Sequence, residues 1–219
     1  MTAPVPTATA AEASLDLCWV RTGAVAGLLA VLIYSTLVFV PYPLQIGLVA
    51  ALSFGVLLIV AFIGLHRFIA LHRRTVALDL AAVFGIIAGA VVDLMFVVQI
   101  AVKEPPVGEA ADAGVAAARE IGNRVQLGLD VGWDVFVGLA TFLFAWCALR
   151  HPRLGPWLGG AGILIATLLL VLNLMTFPFP PTESGSFDAG PLVGLWYLVV
   201  SVRVLRSRRW AEAAATRTE

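Results

Sequence analysis

The sequence predicts an all-α fold: a polytopic transmembrane bundle of six helices with the N-terminus and the C-terminus both in the cytoplasm. Of the 219 residues, 60% are hydrophobic and 13% are charged, and the mean hydropathy is +0.95. A soluble domain has about 25% charged residues and roughly half apolar ones. The sequence therefore predicts a protein whose apolar surface faces the lipid bilayer. No nucleic-acid partner is expected, because no basic, aromatic-rich domain lies outside the apolar stretches.

Six apolar stretches are each long enough to cross ~30 Å of hydrocarbon as a helix. Prolines follow the first, third and fifth stretches, where they favour helix ends because proline lacks a backbone N–H. The predicted membrane domain is 14–209, with spans at about 20–41, 46–66, 76–101, 126–149, 154–177 and 190–207.

The distribution of Lys and Arg predicts the orientation. With six spans, the side that holds both termini carries eleven of these residues and the other side carries three. The positive-inside rule places the richer side in the cytoplasm.

The two ends of the chain read as tails. Residues 1–13 are rich in Ala, Thr and Pro and have no basic segment, which predicts a disordered tail and no cleaved signal peptide. Residues 210–219 are predicted to be a cytoplasmic tail.

Three aspartates within the apolar stretches mark a candidate site. Asp130 and Asp134 lie one helical turn apart in the fourth span, and Asp93 lies in the third. A carboxylate in hydrocarbon costs at least ~2.5 kcal/mol, so it usually faces a partner or a wet cavity. At 1.5 Å per residue, Asp93 and Asp134 both fall ~6 Å outside the membrane midplane.

Other polar and aromatic residues are expected at a similar depth, on five different helices. In the fourth span they form a stripe with Asp130 and Asp134, because they fall within one arc at 100° per residue. The predicted lining of an outward-facing pocket is Asp93, Asp130, Asp134, Asn123, Gln126, Gln99, Asn173, Tyr34, Trp133, Trp196 and Tyr197.

Two pairs of glycines predict close helix packing. Gly85 and Gly89 share one face of the third span with Asp93, at i, i+4 and i+8. Gly128 and Gly132 lie opposite the aspartate stripe of the fourth span. Small residues spaced in this way let a second helix approach closely, either in the same chain or in a partner.

Three interpretations of the aspartates stay open. They can be structural groups, hydrogen-bonded within the bundle. They can line a pocket that binds a proton, a cation or a small polar ligand, in a transport-like or sensing-like role. They can also act as paired carboxylates in an intramembrane enzyme. A structural or accessory protein that associates with its own copy or with a partner through the glycine faces is the alternative to the pocket hypothesis.

Several features argue against catalysis and against a cofactor. All three histidines, His66, His72 and His151, are predicted at the cytoplasmic surface, away from the aspartates, so a His-ligated metal site is not expected. The two cysteines, Cys18 and Cys147, are expected to be reduced thiols. No phosphate-binding loop or dinucleotide fingerprint is present. We therefore expect no metal, no cofactor and no catalytic residue.

The C-terminal third resembles a known group of proteins. The stretches are LGLDVGWDVFVGLATFLFAWCALRHPRLGPWLGG (127–160), NLMTFPFPP (173–181) and GPLVGLWYL (190–198). They resemble small six-helix bacterial integral membrane proteins that carry a domain of unknown function. The resemblance implies a bacterial cytoplasmic membrane and transfers no functional residue.

Overall fold

A computed structural model describes residues 10–39, 43–103 and 113–216. This part of the chain is helical and has no strand. A 3₁₀ turn (Pro181–Ser184) interrupts the link between α5 and α6. The helices are α1 (Ala10–Phe39), α2 (Leu44–Ala70), α3 (Val76–Lys103), α4 (Ala113–Ala148), α5 (Gly155–Thr176), α6 (Gly190–Arg206) and α7 (Arg208–Ala215).

Five helices, α1 to α5, are long and apolar enough to cross a membrane. Their surface supports this reading, because large apolar side chains such as Leu164, Leu174 and Trp157 are at least 70% exposed. A soluble monomer rarely exposes so much contiguous apolar surface. The chain is therefore an all-α, multi-pass membrane protein.

The helices form a closed ring in which each contacts the next. α1 packs on α2, α2 on α3, α3 on α4 and α4 on α5, while α6 closes the ring against α5 and α1. Large side chains such as Phe62, Phe144 and Tyr197 fill the middle, with Phe62 stacked on Phe144 at 6.1 Å. This antiparallel order places the 177–189 segment at one end, called here the acidic end. The 71–75 and 149–154 loops and α7 lie at the other, called the basic end.

Glycines set the closest helix crossings. A Cβ atom on Gly64 would lie 2.5 Å from the Cα of Gly23, so α1 and α2 touch backbone to backbone at this point. A Cβ on Gly89 would lie 2.8 Å from the carbonyl oxygen of Gly55, which gives α2 and α3 a similar crossing. Only glycine permits these approaches without displacing a helix.

Both segments that were predicted to be tails are partly helical in the structure. α1 begins at Ala10, so residues 10–13 of the predicted disordered tail continue the first helix; residues 1–9 lie outside the described part. Residues 210–215 of the predicted C-terminal tail belong to a helix, α7. α7 folds back because one face is apolar: Ala211 and Ala215 are buried, and the ring of Trp210 packs 5.3 Å from that of Phe68.

Candidate functional site

A cavity of about 310 Å³ opens at the acidic end, between α1, α3, α4 and the 177–189 segment. Its lining combines carboxylates, amides and aromatic rings. None of the described residues that line it is a lysine, arginine or histidine. The lining residues are Tyr34, Leu37, Val92, Met95, Phe96, Gln99, Gln126, Asp130, Trp133, Asp134, Pro180, Pro181, Thr182 and Asp188.

Asp134 is the most deeply placed carboxylate of the cavity. Its side chain lies in the wall, yet the residue is only 5% exposed. The Nδ2 group of Asn173 donates a hydrogen bond to Asp134 Oδ2 at 2.9 Å and another to the carbonyl oxygen of Leu169 at 3.0 Å. Because the Leu169 carbonyl can only accept, it fixes the amide so that the N–H side faces Asp134. The Asn173 amide is therefore oriented to donate a hydrogen bond, and the Asp134 carboxylate accepts it.

Asp130 and Asp188 add two further carboxylates to the wall. Asp130 lies one turn from Asp134 on α4, and Asp188 comes from the segment before α6. The Oδ1 atom of Asp188 accepts a hydrogen bond from the backbone N–H of Gly190 at 2.7 Å, which satisfies one free donor at the start of α6. Arg124, on the same helix as Asp130, does not line the cavity and pairs with Glu120 at 2.9 Å on the exposed surface.

Three aromatic side chains of the lining surround one buried ring. Tyr34 stacks on Phe54 with centroids 5.6 Å apart, while Phe96 and Trp133 meet the same ring edge-on at 6.1 and 6.3 Å. Phe54 is 4% exposed and belongs to α2, whereas the three residues around it belong to α1, α3 and α4. We call Tyr34, Phe96 and Trp133, packed around Phe54, the aromatic floor of the cavity.

The floor also holds an unusual polar group. The indole N–H of Trp133 is buried and has no hydrogen-bond partner among the described residues. Most buried donors are paired, so each exception calls for an explanation.

The prediction that Asp93 belongs to this cavity is wrong. Its Oδ1 atom accepts a hydrogen bond from the backbone N–H of Gly55 at 2.8 Å, so the side chain faces α2. The reason is the close crossing of Gly55 and Gly89, which turns the Gly85–Gly89–Asp93 face of α3 against α2. Asp93 therefore points to α2 and not into the cavity.

Four other predicted lining residues do not line the cavity. Asn123 is exposed on α4. Asn173 lies behind Asp134 and supports it. Trp196 donates from Nε1 to the carbonyl oxygen of Leu158 at 2.9 Å, and Tyr197 shares a 3.0 Å hydrogen bond with Thr141 in the core. Asn173, Trp196 and Tyr197 are buried, and each makes a hydrogen bond within the bundle.

The remaining predicted residues do converge. Tyr34, Gln99, Gln126, Asp130, Trp133 and Asp134 all line the cavity. Asp188 was not predicted from the sequence, nor was the part of the cavity wall formed by Pro180, Pro181 and Thr182. Asp188 carried one available signal: an Asp two residues before a helix start commonly accepts from a free N–H there.

Of the two glycine pairs predicted to pack closely, one does so in the structure and the other does not. Gly85 and Gly89 do pack closely, against the side chains of Phe62 and Ile59 on α2. The prediction of close packing at Gly128 and Gly132 is wrong within this chain. A Cβ on Gly128 would meet nothing within 4 Å, and one on Gly132 would meet only Val91 at 3.9 Å. Gly128 is exposed, so at this position α4 has no neighbouring helix within the chain.

The histidines lie at the basic end, away from Asp130 and Asp134, as the sequence predicts. His66 Nε2 lies 2.8 Å from an oxygen of Asp79, which also pairs with Arg74 at 3.2 Å. No group of three or more His, Cys, Asp or Glu among the described residues is arranged to hold a metal ion.

His151 is 1% exposed and packs 4.8 Å from both the Phe68 and the Trp210 ring. Burial, and then the neighbouring His72, lower the pKa of His151 to about 4. Its Nδ1 atom accepts from the backbone N–H groups of Arg153 and Leu154, which fits a neutral ring.

The chain matches no model of a known protein family, no curated protein and no solved structure. The geometry of the cavity is therefore the basis for any functional assignment.

Proposed function

We propose that this protein is a cation-binding membrane protein whose cavity faces the outside of a bacterial cytoplasmic membrane. The observation that carries the proposal is Asp134, a carboxylate that is 5% exposed and still lies in a cavity wall. None of the described lining residues is cationic. A buried carboxylate that lacks a cationic partner is costly, and an entering cation or proton would offset that cost.

The proposed topology has six crossings. α6 has 17 residues, the lower limit for a crossing helix, and runs from the acidic end to the basic end beside α1 and α5. Together with the eleven basic residues predicted on one side, this puts the basic end and both termini in the cytoplasm. The cavity at the acidic end then opens outward, and the resemblance to small six-helix bacterial membrane proteins agrees with this arrangement.

Binding with a sensing role fits the cavity better than carriage across the membrane. The aromatic floor and the core residues beneath it, such as Phe62 and Tyr197, separate the cavity from the basic end. Secondary carriers usually bind their substrates at broken helices near the midplane. The described crossings are continuous helices.

Self-association through glycine faces has weaker support. Gly85 and Gly89 serve contacts within the chain, so of the four predicted glycines Gly128 is the one with open space around it. Neither this association nor an enzymatic role for the carboxylates has a specific observation in its favour.

The test is the thermal stability of purified protein in detergent, at neutral pH, with and without added monovalent and divalent cations. We expect at least one cation to raise the melting temperature of the wild type and to have no effect on Asp134→Asn. The matched control is Asp93→Asn, which changes a carboxylate at similar predicted depth but outside the cavity and keeps an oxygen for Gly55. A cation response that persists in Asp134→Asn would refute the proposal.

A further inference from the structure

We infer that the cavity is selective for a small organic ammonium ion over inorganic cations. Its charge would lie beside Asp130 and Asp134, and its apolar substituents would lie against the aromatic floor. This inference rests on the proposed function, since it specifies the class of cation that the same site takes.

The size of the cavity argues for an organic ligand. About 310 Å³ equals roughly ten water volumes and falls at the lower end of small-molecule sites, which span about 300–1,000 Å³. A bare metal ion would fill a small fraction of this space. A ligand of several carbon atoms with one charged nitrogen fits the available volume.

The carboxylates are placed poorly for a metal ion. A hard divalent cation takes six to eight oxygen ligands, or keeps several waters in near-ideal octahedral geometry. Here Asp134 Oδ2 is engaged by Asn173 and Asp188 Oδ1 is engaged by the backbone of Gly190. Within the described residues no three acidic or imidazole groups converge on one point. An ammonium ion needs only one or two acceptors, which this wall supplies.

The aromatic floor supplies the second half of ammonium recognition. A cation over the face of Trp, Tyr or Phe gains about 0.5–2 kcal/mol, most when water is excluded. Tyr34, Phe96 and Trp133 come from three helices, and Phe54 holds all three in place. Inorganic cations keep a tight hydration shell and have no apolar groups to place against these rings.

The two amides complete the wall. Gln99 and Gln126 line the same cavity as Asp130 and Asp134. An amide oxygen can accept from an ammonium N–H without adding charge. The combination of carboxylate, amide and aromatic groups, with no basic residue among the described lining residues, is therefore complementary to an organic ammonium ion.

The experiment measures Trp fluorescence of the full chain in nanodiscs during titration with chloride salts at constant ionic strength. The probes are sodium, magnesium, calcium, methylammonium, tetramethylammonium and benzylammonium. We expect tetramethylammonium or benzylammonium to bind ~10-fold more tightly than sodium. Phe96→Leu should reduce that preference about fivefold while sodium affinity stays the same, and Phe96→Tyr should retain it.

The matched control is Phe84→Leu. Phe84 is also on α3 but packs on Phe136 at 6.2 Å, away from the cavity lining. Equal or tighter binding of inorganic cations, lost in Asp134→Asn, would overturn this inference and leave the proposed function intact. If no probe binds, both fail. A preference that falls equally in Phe84→Leu and Phe96→Leu would overturn the role of the floor.

Discussion

Replacing Gly64 with alanine tests the ring of helices at its tightest point. The new Cβ would lie 2.5 Å from the Cα of Gly23 and 2.7 Å from the carbonyl oxygen of Trp19, both backbone atoms. Ordinary carbon contacts are ~3.5–4.0 Å, so α1 and α2 would have to separate by about 1 Å.

Such overpacking typically costs about 1–3 kcal/mol, and alanine in a helix regains about 0.5–1 kcal/mol relative to glycine. We expect a net loss of roughly 1–2 kcal/mol for Gly64→Ala. The matched control is Gly160→Ala, at a similar distance from the basic end of α5, where the Cβ would meet nothing within 4 Å. That variant should be neutral or more stable by up to about 1 kcal/mol.

The assay is reversible unfolding in mixed micelles with increasing SDS, followed by Trp fluorescence and repeated at several lipid-to-detergent ratios. The free energies of unfolding of the two variants should differ by roughly 2 kcal/mol, with Gly64→Ala the less stable. If Gly64→Ala and Gly160→Ala unfold alike, the α1–α2 crossing is not as close as described and the reasoning is refuted.

Three further outcomes are expected. Asn173→Leu should lower stability by about 1–3 kcal/mol, since it leaves Asp134 Oδ2 buried without its donor; unchanged stability in SDS unfolding would contradict this. Because the folded pKa of His151, about 4, lies below the ordinary value of ~6.5, its stabilising contribution is complete above pH 6.5 and is lost as the pH falls toward 4. His151→Phe should flatten that part of the melting-temperature profile, and an unchanged slope would refute the assignment. Arg208 and then Arg21 lower the pKa of Glu212, so Glu212→Gln should speed amide hydrogen exchange in α7; equal exchange rates would show that these pairs do not hold α7.

The all-α membrane fold and six of the fourteen residues that line the cavity could be predicted, because they depend on hydropathy and helical periodicity. Asp130, Asp134 and Gln126 share one arc of α4, and that arc does face the cavity. Gln99 and Tyr34, on two other helices, line the same cavity; the rise of 1.5 Å per residue was the basis for grouping them with the aspartates.

The rotation of a helix about its axis could not be predicted in the same way. Asp93 faces α2 because Gly55, on another helix, lets α3 approach at Gly89. The sequence of α3 alone does not contain that information. Asp188 and Pro180 were missed for a related reason: the 177–189 segment reaches the cavity only through the packing of α5 and α6 at the ring's closing point.

α7 is a helix that packs on the bundle although its sequence is rich in arginine. The Arg-rich sequence around Trp210 reads as an anchor at the membrane surface, but Ala211 and Ala215 recur at helical spacing on one face. That face is buried against the bundle, while Arg208 and Glu212 pair on the exposed side. The arginines are evident in the sequence, but the helical spacing of Ala211 and Ala215 is the feature from which a packed helix could have been predicted.

The most direct test of an outward-facing, cation-binding cavity is labelling of a Thr182→Cys variant in intact cells with a membrane-impermeant thiol reagent. Thr182 is exposed in the cavity wall, and Cys18, exposed at the basic end, is the control in the same chain. We predict that residue 182 is labelled from outside, that Cys18 is labelled only after permeabilisation, and that an organic ammonium slows labelling at 182. Labelling of Cys18 from outside, or a rate at 182 that no cation changes, would contradict the account.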